Sequence, residues 1–257
     1  MDSLFTIDIG NTRTHCAIIR LEKDNLKIVS AQDYPSSEFA EIFERQTLLK
    51  KSGADCVAWC SVVPKYSEAL KKKLANIKNM QLTAENSPIE LDVKYPSQVG
   101  QDRIADAAGA GIFFKPPYIV VDMGTAVTID LVDKNGKYAG GAIAPGMHAF
   151  AAYLNERAAQ LPKINPADAD YNMSIGKDTE SAMHVGCVKG FCKLADGIIE
   201  DIERDYFDGE SAKGKTVFTG GSIELLPKKW LADRKIESNL ANLGLARTFF
   251  NKENKCI

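Results

Sequence analysis

The sequence predicts two similar α/β domains facing a central cleft, and three observations lead there. Residues 118–132, YIVVDMGTAVTIDLV, set apolar, β-branched residues on either side of the bend Asp122-Met123-Gly124-Thr125. Residues 4–20, LFTIDIGNTRTHCAIIR, repeat the plan with Asp8-Ile9-Gly10-Asn11-Thr12 at the bend. Nearly half of the 257-residue chain separates the two acids, so each opens a domain-sized half. Hairpins ahead of helices, twice over, give domains 1–115 and 116–257, with Pro116-Pro117 marking the boundary.

In chain order, the first hairpin leads through Ser36-Ser37-Glu38 to an amphipathic stretch over 39–51, stopped by Gly53. Residues 54–63 read as a strand ended by Pro64, and 65–75 as a surface helix whose Lys71-Lys72-Lys73 run is a solvated face. Leu82 and Leu91-Asp92-Val93 suggest short extended pieces, and Gly100-Gln101-Asp102-Arg103 opens a small-residue helix over 104–114. The second half starts with the hairpin 118–132, and Asp133-Lys134-Asn135-Gly136 turns it into a third strand. The loop YAGGAIAPG, 138–146, leads to a helix over 148–160, and 162–171 is irregular. A long helix is expected over 178–205. Gly186, Gly190 and Gly197 lie near one of its faces, and close approach of another helix would compensate their cost of ~1 kcal/mol each. A strand at 216–218, a turn Thr219-Gly220-Gly221-Ser222 and a closing helix at 239–251 complete the reading.

Composition narrows the function. A net charge of −2 argues against nucleic acid as the principal partner. Asp2 and Asp8 interrupt any apolar run at the start, and no stretch approaches the ~20 apolar residues of a membrane helix. A cytoplasmic protein with no membrane partner is expected. The cysteines Cys16, Cys56, Cys60, Cys187, Cys192 and Cys256 form no CxxC pair or zinc-like spacing and read as buried free thiols. His15, His148 and His184 are scattered and receive no metal role.

The two acidic bends carry the chemistry. A nucleotide phosphate needs close backbone approach, N–H donors and a metal ion; glycine permits the approach, turn amides supply the donors, and a carboxylate holds the metal. Asp8-Gly10-Asn11-Thr12 and Asp122-Gly124-Thr125 both offer this set. One such bend alone is an ordinary turn; two in matching places are a pattern. Thr219-Gly220-Gly221 is a third bend, where a flat adenosine has room to lie. Asp102 has two readings: an acid favoured by a helix N-terminus, or a general base beside an Arg103 that clamps an anionic substrate. Thr179 is either a helix cap or a ligand-contacting hydroxyl.

Taken in order, DIGNT (8–12), SVVP (61–64), GQDR (100–103), DMGTAVTID (122–130), GGAIAPG (140–146), GKDT (176–179) and TGG (219–221) resemble the type III pantothenate kinases. The resemblance runs from Asp8 to the LGLA of 243–246. It implies the acetate and sugar kinase/Hsp70/actin fold, a duplicated pair of ribonuclease H-like (actin-like ATPase) domains. It also implies ATP-dependent phosphorylation of pantothenate, the first step towards coenzyme A. By position, Asp102 is then the base, while Gly100, Gln101, Arg103 and Thr179 complete the pantothenate site. Asp8, Ile9, Gly10, Asn11, Thr12, Arg13, Thr14 and His15 line the ATP phosphates, Thr125 contacts ATP, and Asp8 lies near Mg2+. Asp122 holds a monovalent cation, K+ or NH4+, and Thr179 acts from the neighbouring subunit of a homodimer whose active site lies at the subunit interface. Two positions depart from the family pattern. Val93 stands where a tyrosine is usual, with Tyr95 two residues on, and Gln101 stands where a small residue is common. A non-catalytic regulatory relative of the Bvg accessory factor type, or another small-molecule kinase of the superfamily, are the rival expectations.

Overall fold

The computed structural model describes residues 2–45 and 48–253. Cys256 and part of the stretch expected to be helical over 39–51 lie outside these residues. The chain divides into two compact units, one formed by Met1–Lys115, Gly136–Tyr138 and Asn239–Ile257, the other by Pro116–Asn135 and Ala139–Ser238. The expectation that the second domain runs to residue 257 is therefore corrected: the closing helix packs with the first unit. The bare backbones of Gly109 and Gly244 explain this, because a Cβ at either would collide with the carbonyl oxygen of Leu240 or Ala105 across the contact.

The first unit is built on β1 (Asp2–Ile9), β2 (Arg13–Glu22), β3 (Asn25–Pro35), β4 (Cys56–Ser61) and β5 (Lys78–Gln81), in the sheet order β3-β2-β1-β4-β5. β1 pairs antiparallel with β2 and parallel with β4, so Asp8 stands opposite His15 on one side and Cys60 on the other. Strand side chains alternate faces. Phe5, Ile7 and Ile9 pack with Phe39, Trp59 and Leu70 on one face. Leu4 packs on the other with Ala58, Cys60, Ile104 and Phe250, and period two puts Asp8 on that same face. The first face is covered by α1 (Phe39–Arg45), α2 (Leu48–Ser52) and α3 (Pro64–Leu74). The second lies under α4 (Gln101–Ala110) and α9 (Leu240–Lys252). The alternation thus turns Asp8 towards the α4 side.

The second unit repeats the topology strand for strand. β6 (Tyr118–Met123), β7 (Ala126–Val132), β8 (Tyr138–Pro145), β9 (Thr216–Thr219) and β10 (Lys235–Ile236) take the order β10-β9-β6-β7-β8. β6 pairs antiparallel with β7 and parallel with β9, which sets Asp122 opposite Thr128 and Thr219. Ile119, Val121 and Met123 enter a core with Phe191, Phe218 and Trp230. Its helices are α5 (Met147–Arg157), α6 (Thr179–Met183), α7 (Gly190–Tyr206) and α8 (Lys228–Leu231). α6 continues into α7 through a π-helical turn, His184–Lys189, so the long helix expected over 178–205 is one helical run with a widened centre. Its glycines are not there for a neighbouring helix of the same chain: a Cβ at Gly186 or Gly197 would meet nothing. Among the described residues no helix is long and apolar enough to cross a membrane.

β3 escaped the sequence reading. Its exposed edge position leaves most of its residues facing solvent, so no apolar alternation marks it. The stretch 138–146, expected to be a loop, is instead strand β8, whose paired glycines lie within the strand, and the short β10 and α8 were not given limits from the sequence.

Candidate active site

In the first unit the bend after β1 is closed by the Gly10 N–H donating to the Arg13 carbonyl at 3.0 Å. Ser36 fastens it from behind, its hydroxyl donating to the Gly10 carbonyl at 2.8 Å and lying 3.0 Å from the Thr14 hydroxyl. Ile9 and Thr14 are buried and offer a ligand only their backbone, whereas Asn11, Thr12 and Arg13 are exposed at the tip. Asp8 ends β1 half-buried, and the Cys60 thiol donates to its Oδ1 at 3.2 Å. Burial, with the charge of Asp102 second, pushes the Asp8 carboxyl up to about 6. Burial also pushes the Cys60 thiol well up, so it remains a proton donor at neutral pH. Cys60 is a buried free thiol, as expected. Its contact with Asp8 was not legible, since strand register, which a sequence does not display, decides which residue faces the acid.

Asp102 sits in the first turn of α4, where the helix dipole favours an acid. Its Oδ1 accepts from the Arg103 N–H at 2.7 Å and lies over Gly100, where a Cβ would press against it. Both readings of Asp102 are thus compatible with its place, and its charge is the second cause of the raised Asp8 pKa. Arg103 lies over the Tyr138 ring, 5.8 Å from the centroid. The Gln101 side-chain carbonyl accepts from the Ser61 N–H at 3.0 Å and from Gln81 Nε2 at 3.3 Å. His15 bonds Asp33 through Nδ1, and its Nε2 lies 2.9 Å from the Asn239 side-chain oxygen. Burial alone would lower the His15 pKa, but these bonds outweigh it and raise it.

In the second unit three segments converge. The Gly124 N–H donates to the Ala126 carbonyl at 3.0 Å, closing the bend after Asp122. The Ser222 N–H donates to the Met123 carbonyl at 2.8 Å, and its hydroxyl donates to the Gly124 carbonyl at 3.3 Å. The Gly146 N–H donates to the Thr125 carbonyl at 3.0 Å. Gly220, at φ +97°, lies so close to Asp122 and Met123 that only a residue without a Cβ fits. The bends of Asp122, Gly146 and Gly220 thus form one cluster, with Thr125 exposed on it. Neither Ser222 nor Gly146 was singled out as a site residue; the Pro-Gly and Gly-Gly turns before them were the available signals.

Thr179 is the first residue of α6 and exposed, but it is not the cap. Asp178 is, accepting from the Ser181 N–H at 2.8 Å. Thr179 instead borders an apolar groove of about 870 Å³ lined by Phe150, Tyr153, Leu154, Met183 and Cys187. Tyr95 is 55% exposed, with Lys94 over its ring.

The carboxylates suit hard cations. Magnesium takes one or two carboxylates beside phosphate oxygens rather than a closed protein cage, and Asp8 is a half-buried acid whose charge a cation would relieve. Among the described residues no group of three or more His, Cys, Asp and Glu is placed to hold a metal alone. The Asp122 carboxylate oxygens lie against the bends of Gly124 and Gly220.

The family model described as type III pantothenate kinase matches residues 4–201. The chain is 31% identical over 252 residues to the type III pantothenate kinase of Persephonella marina, covering 93% of this chain and 95% of the relative. With that of Listeria monocytogenes (strain HCC23) it shares 32% over 253 residues, covering 94% and 95%. Among solved structures, a Baf family protein of Campylobacter jejuni matches at TM-score 0.66 and 21% identity, covering 97% of this chain and 99% of that one. A Listeria monocytogenes protein assigned as an N-acetylmannosamine kinase matches at TM-score 0.52 and 12% identity, covering 98% and 100%. At those identities the structures speak for the shared fold alone.

Proposed function

The chain belongs to the type III pantothenate kinase family, and on that premise we propose that it phosphorylates pantothenate with ATP. The product is 4'-phosphopantothenate, and the reaction is the first step of coenzyme A biosynthesis. The observation that carries the reading is that one unit holds both Asp8, at the glycine-closed bend after β1, and Asp102, in the first turn of α4.

Phosphoryl transfer asks the protein for positioning and charge neutralisation more than for covalent chemistry. Asp102 accepts the proton of the attacking primary hydroxyl and steers it in line with the γ-phosphate. Gly100 to Arg103 form the turn that receives pantothenate, and Arg103 pairs with its carboxylate. Asp8 to His15 line the triphosphate, with the buried Ile9 and Thr14 contributing backbone, and Thr125 adds a contact to ATP. Asp8 would hold Mg2+, directly or through water, and Asp122 a monovalent cation, K+ or NH4+. When bound, these cations neutralise charge on the phosphate oxygens.

The working form is a homodimer in the cytoplasm, with Thr179 reaching pantothenate in the partner subunit. Support for the assembly comes from the apolar groove beside Thr179 and from Tyr153 and Ile175, which are 61% and 66% exposed.

The test is a coupled assay of ATP consumption with pantothenate, with and without K+. Turnover that requires pantothenate is expected, and Asp102→Asn should lower kcat by ~10²-fold or more while ATP still binds. Absence of turnover with pantothenate, or an Asp102→Asn variant at normal rate, refutes the respective assignment.

A further inference from the structure

The Gln101 side-chain oxygen ties the proposed substrate turn to the edge of the sheet. β4 outruns β5: the last ladder pair is Trp59 with Gln81, and the next backbone N–H on that edge, that of Ser61, has no strand residue to meet. The Gln101 carbonyl takes that place, accepting from Ser61 at 3.0 Å and from the Gln81 side chain at 3.3 Å. A backbone N–H only donates, so the orientation of the Gln101 amide is set by its partner. The far anchor is itself held: the Gln81 carbonyl accepts from the Asn86 side chain at 2.8 Å, and Asn86 Oδ1 accepts from the Thr83 N–H at 2.8 Å.

These bonds join two parts of the reaction site within the first unit. Ser61 pairs with Ile9 and follows Cys60, whose thiol donates to Asp8. Gln101 precedes Asp102, and the helix they open has glycine at its N-cap and no side-chain cap of its own. The first turn of α4 is therefore tied to the sheet edge by a side chain one residue from Asp102. We infer that Gln101 is a positioning residue for phosphoryl transfer: it pins the turn carrying Asp102 to the strand end beside Asp8, so that the base keeps its place relative to the phosphate bend. The inference rests on the role proposed for Asp102. A displacement of about 1 Å in a reacting group costs up to ~10²-fold in rate, so a side chain that acts through the placement of Asp102 can govern kcat.

The experiment is a kinetic cycle on the purified full-length enzyme with ATP and pantothenate. Gln101→Met keeps the length of the side chain and removes the acceptor. The expected result is a kcat about tenfold lower with the KM for pantothenate and for ATP within about twofold of wild type. In the Asp102→Asn background the same change should alter the residual turnover by less than about twofold, because the group it positions is gone. Equal losses in both backgrounds, a raised pantothenate KM at unchanged kcat, or unchanged kinetics would each overturn the inference. If Gln101→Met does not fold, Gln81→Met removes the second, 3.3 Å donor to the Gln101 carbonyl; a smaller kcat loss that disappears in the Asp102→Asn background is then expected, and no loss or an equal loss in both backgrounds overturns the inference. The two assignments fail differently: Asp102→Asn at full turnover removes the base and its positioning residue together, whereas an inactive Asp102→Asn with additive Gln101 losses removes only the positioning role.

Discussion

His15 shows how one side chain can tie a bend-flanking strand to distant parts of its unit. It is bonded to Asp33 on β3 and Asn239 at the start of α9, and Arg13 adds a second contact to Asp33 at 3.3 Å. The bond to His15 holds the Asp33 carboxyl below its ordinary 3.8, and the His15 imidazole is held above its ordinary 6.5. A depressed acid stabilises above its unfolded pKa and a raised histidine below its own. The pair therefore contributes fully between about pH 4 and 6.5 and fades as pH rises through the folded histidine pKa. Asp33 is 41% exposed, so the contribution is about 1 kcal/mol or less. Asp33→Asn should lower the urea midpoint at pH 5.5 and approach wild type at pH 9; a deficit equal at both pH values would contradict this.

Element packing decides where Asp102 stands. α4 and α9 meet through Gly109 and Gly244, whose missing Cβ atoms allow each helix backbone to touch the other. A methyl at Gly244 has backbone carbonyl oxygen in its way, which cannot swing aside as a side chain would. Gly244→Ala is expected to destabilise the protein by about 3 kcal/mol and to lower turnover, since α4 must shift with it. A denaturation midpoint equal to wild type would show that the helices accommodate the methyl freely. On the other side of the sheet, α1 to α3 carry ordinary apolar faces, and substitutions there should act on stability alone.

Across the whole molecule the design is duplication with divergence. Each unit ends its central strand in an acid at a bend, Asp8 in one and Asp122 in the other, flanked by an antiparallel and a parallel neighbour. The first unit sets Asp102 beside its acid, while the second surrounds its own with the turns of Gly146 and Gly220. Equal scaffolds thus carry unequal chemistry. The long helix with open glycines and the groove beside it belong to the second unit only, which is where a partner subunit is proposed. If Thr179 acts across that contact, mixing Thr179→Val and Asp102→Asn proteins should restore part of the activity in heterodimers. No recovery after confirmed subunit exchange would count against a shared site.

The two hairpin bends, the helix opened by Asp102 and the family were legible in the chain because each is local: a β-branched run, a turn and its acid occupy consecutive residues. Pairings between distant residues were not. That Cys60 faces Asp8, that Gln101 caps the Ser61 N–H, and that the closing helix joins the first unit all depend on register and close backbone approach. Periodicity tells which face of a strand a side chain takes, but only the assembled sheet determines which side chain of another strand lies beside it.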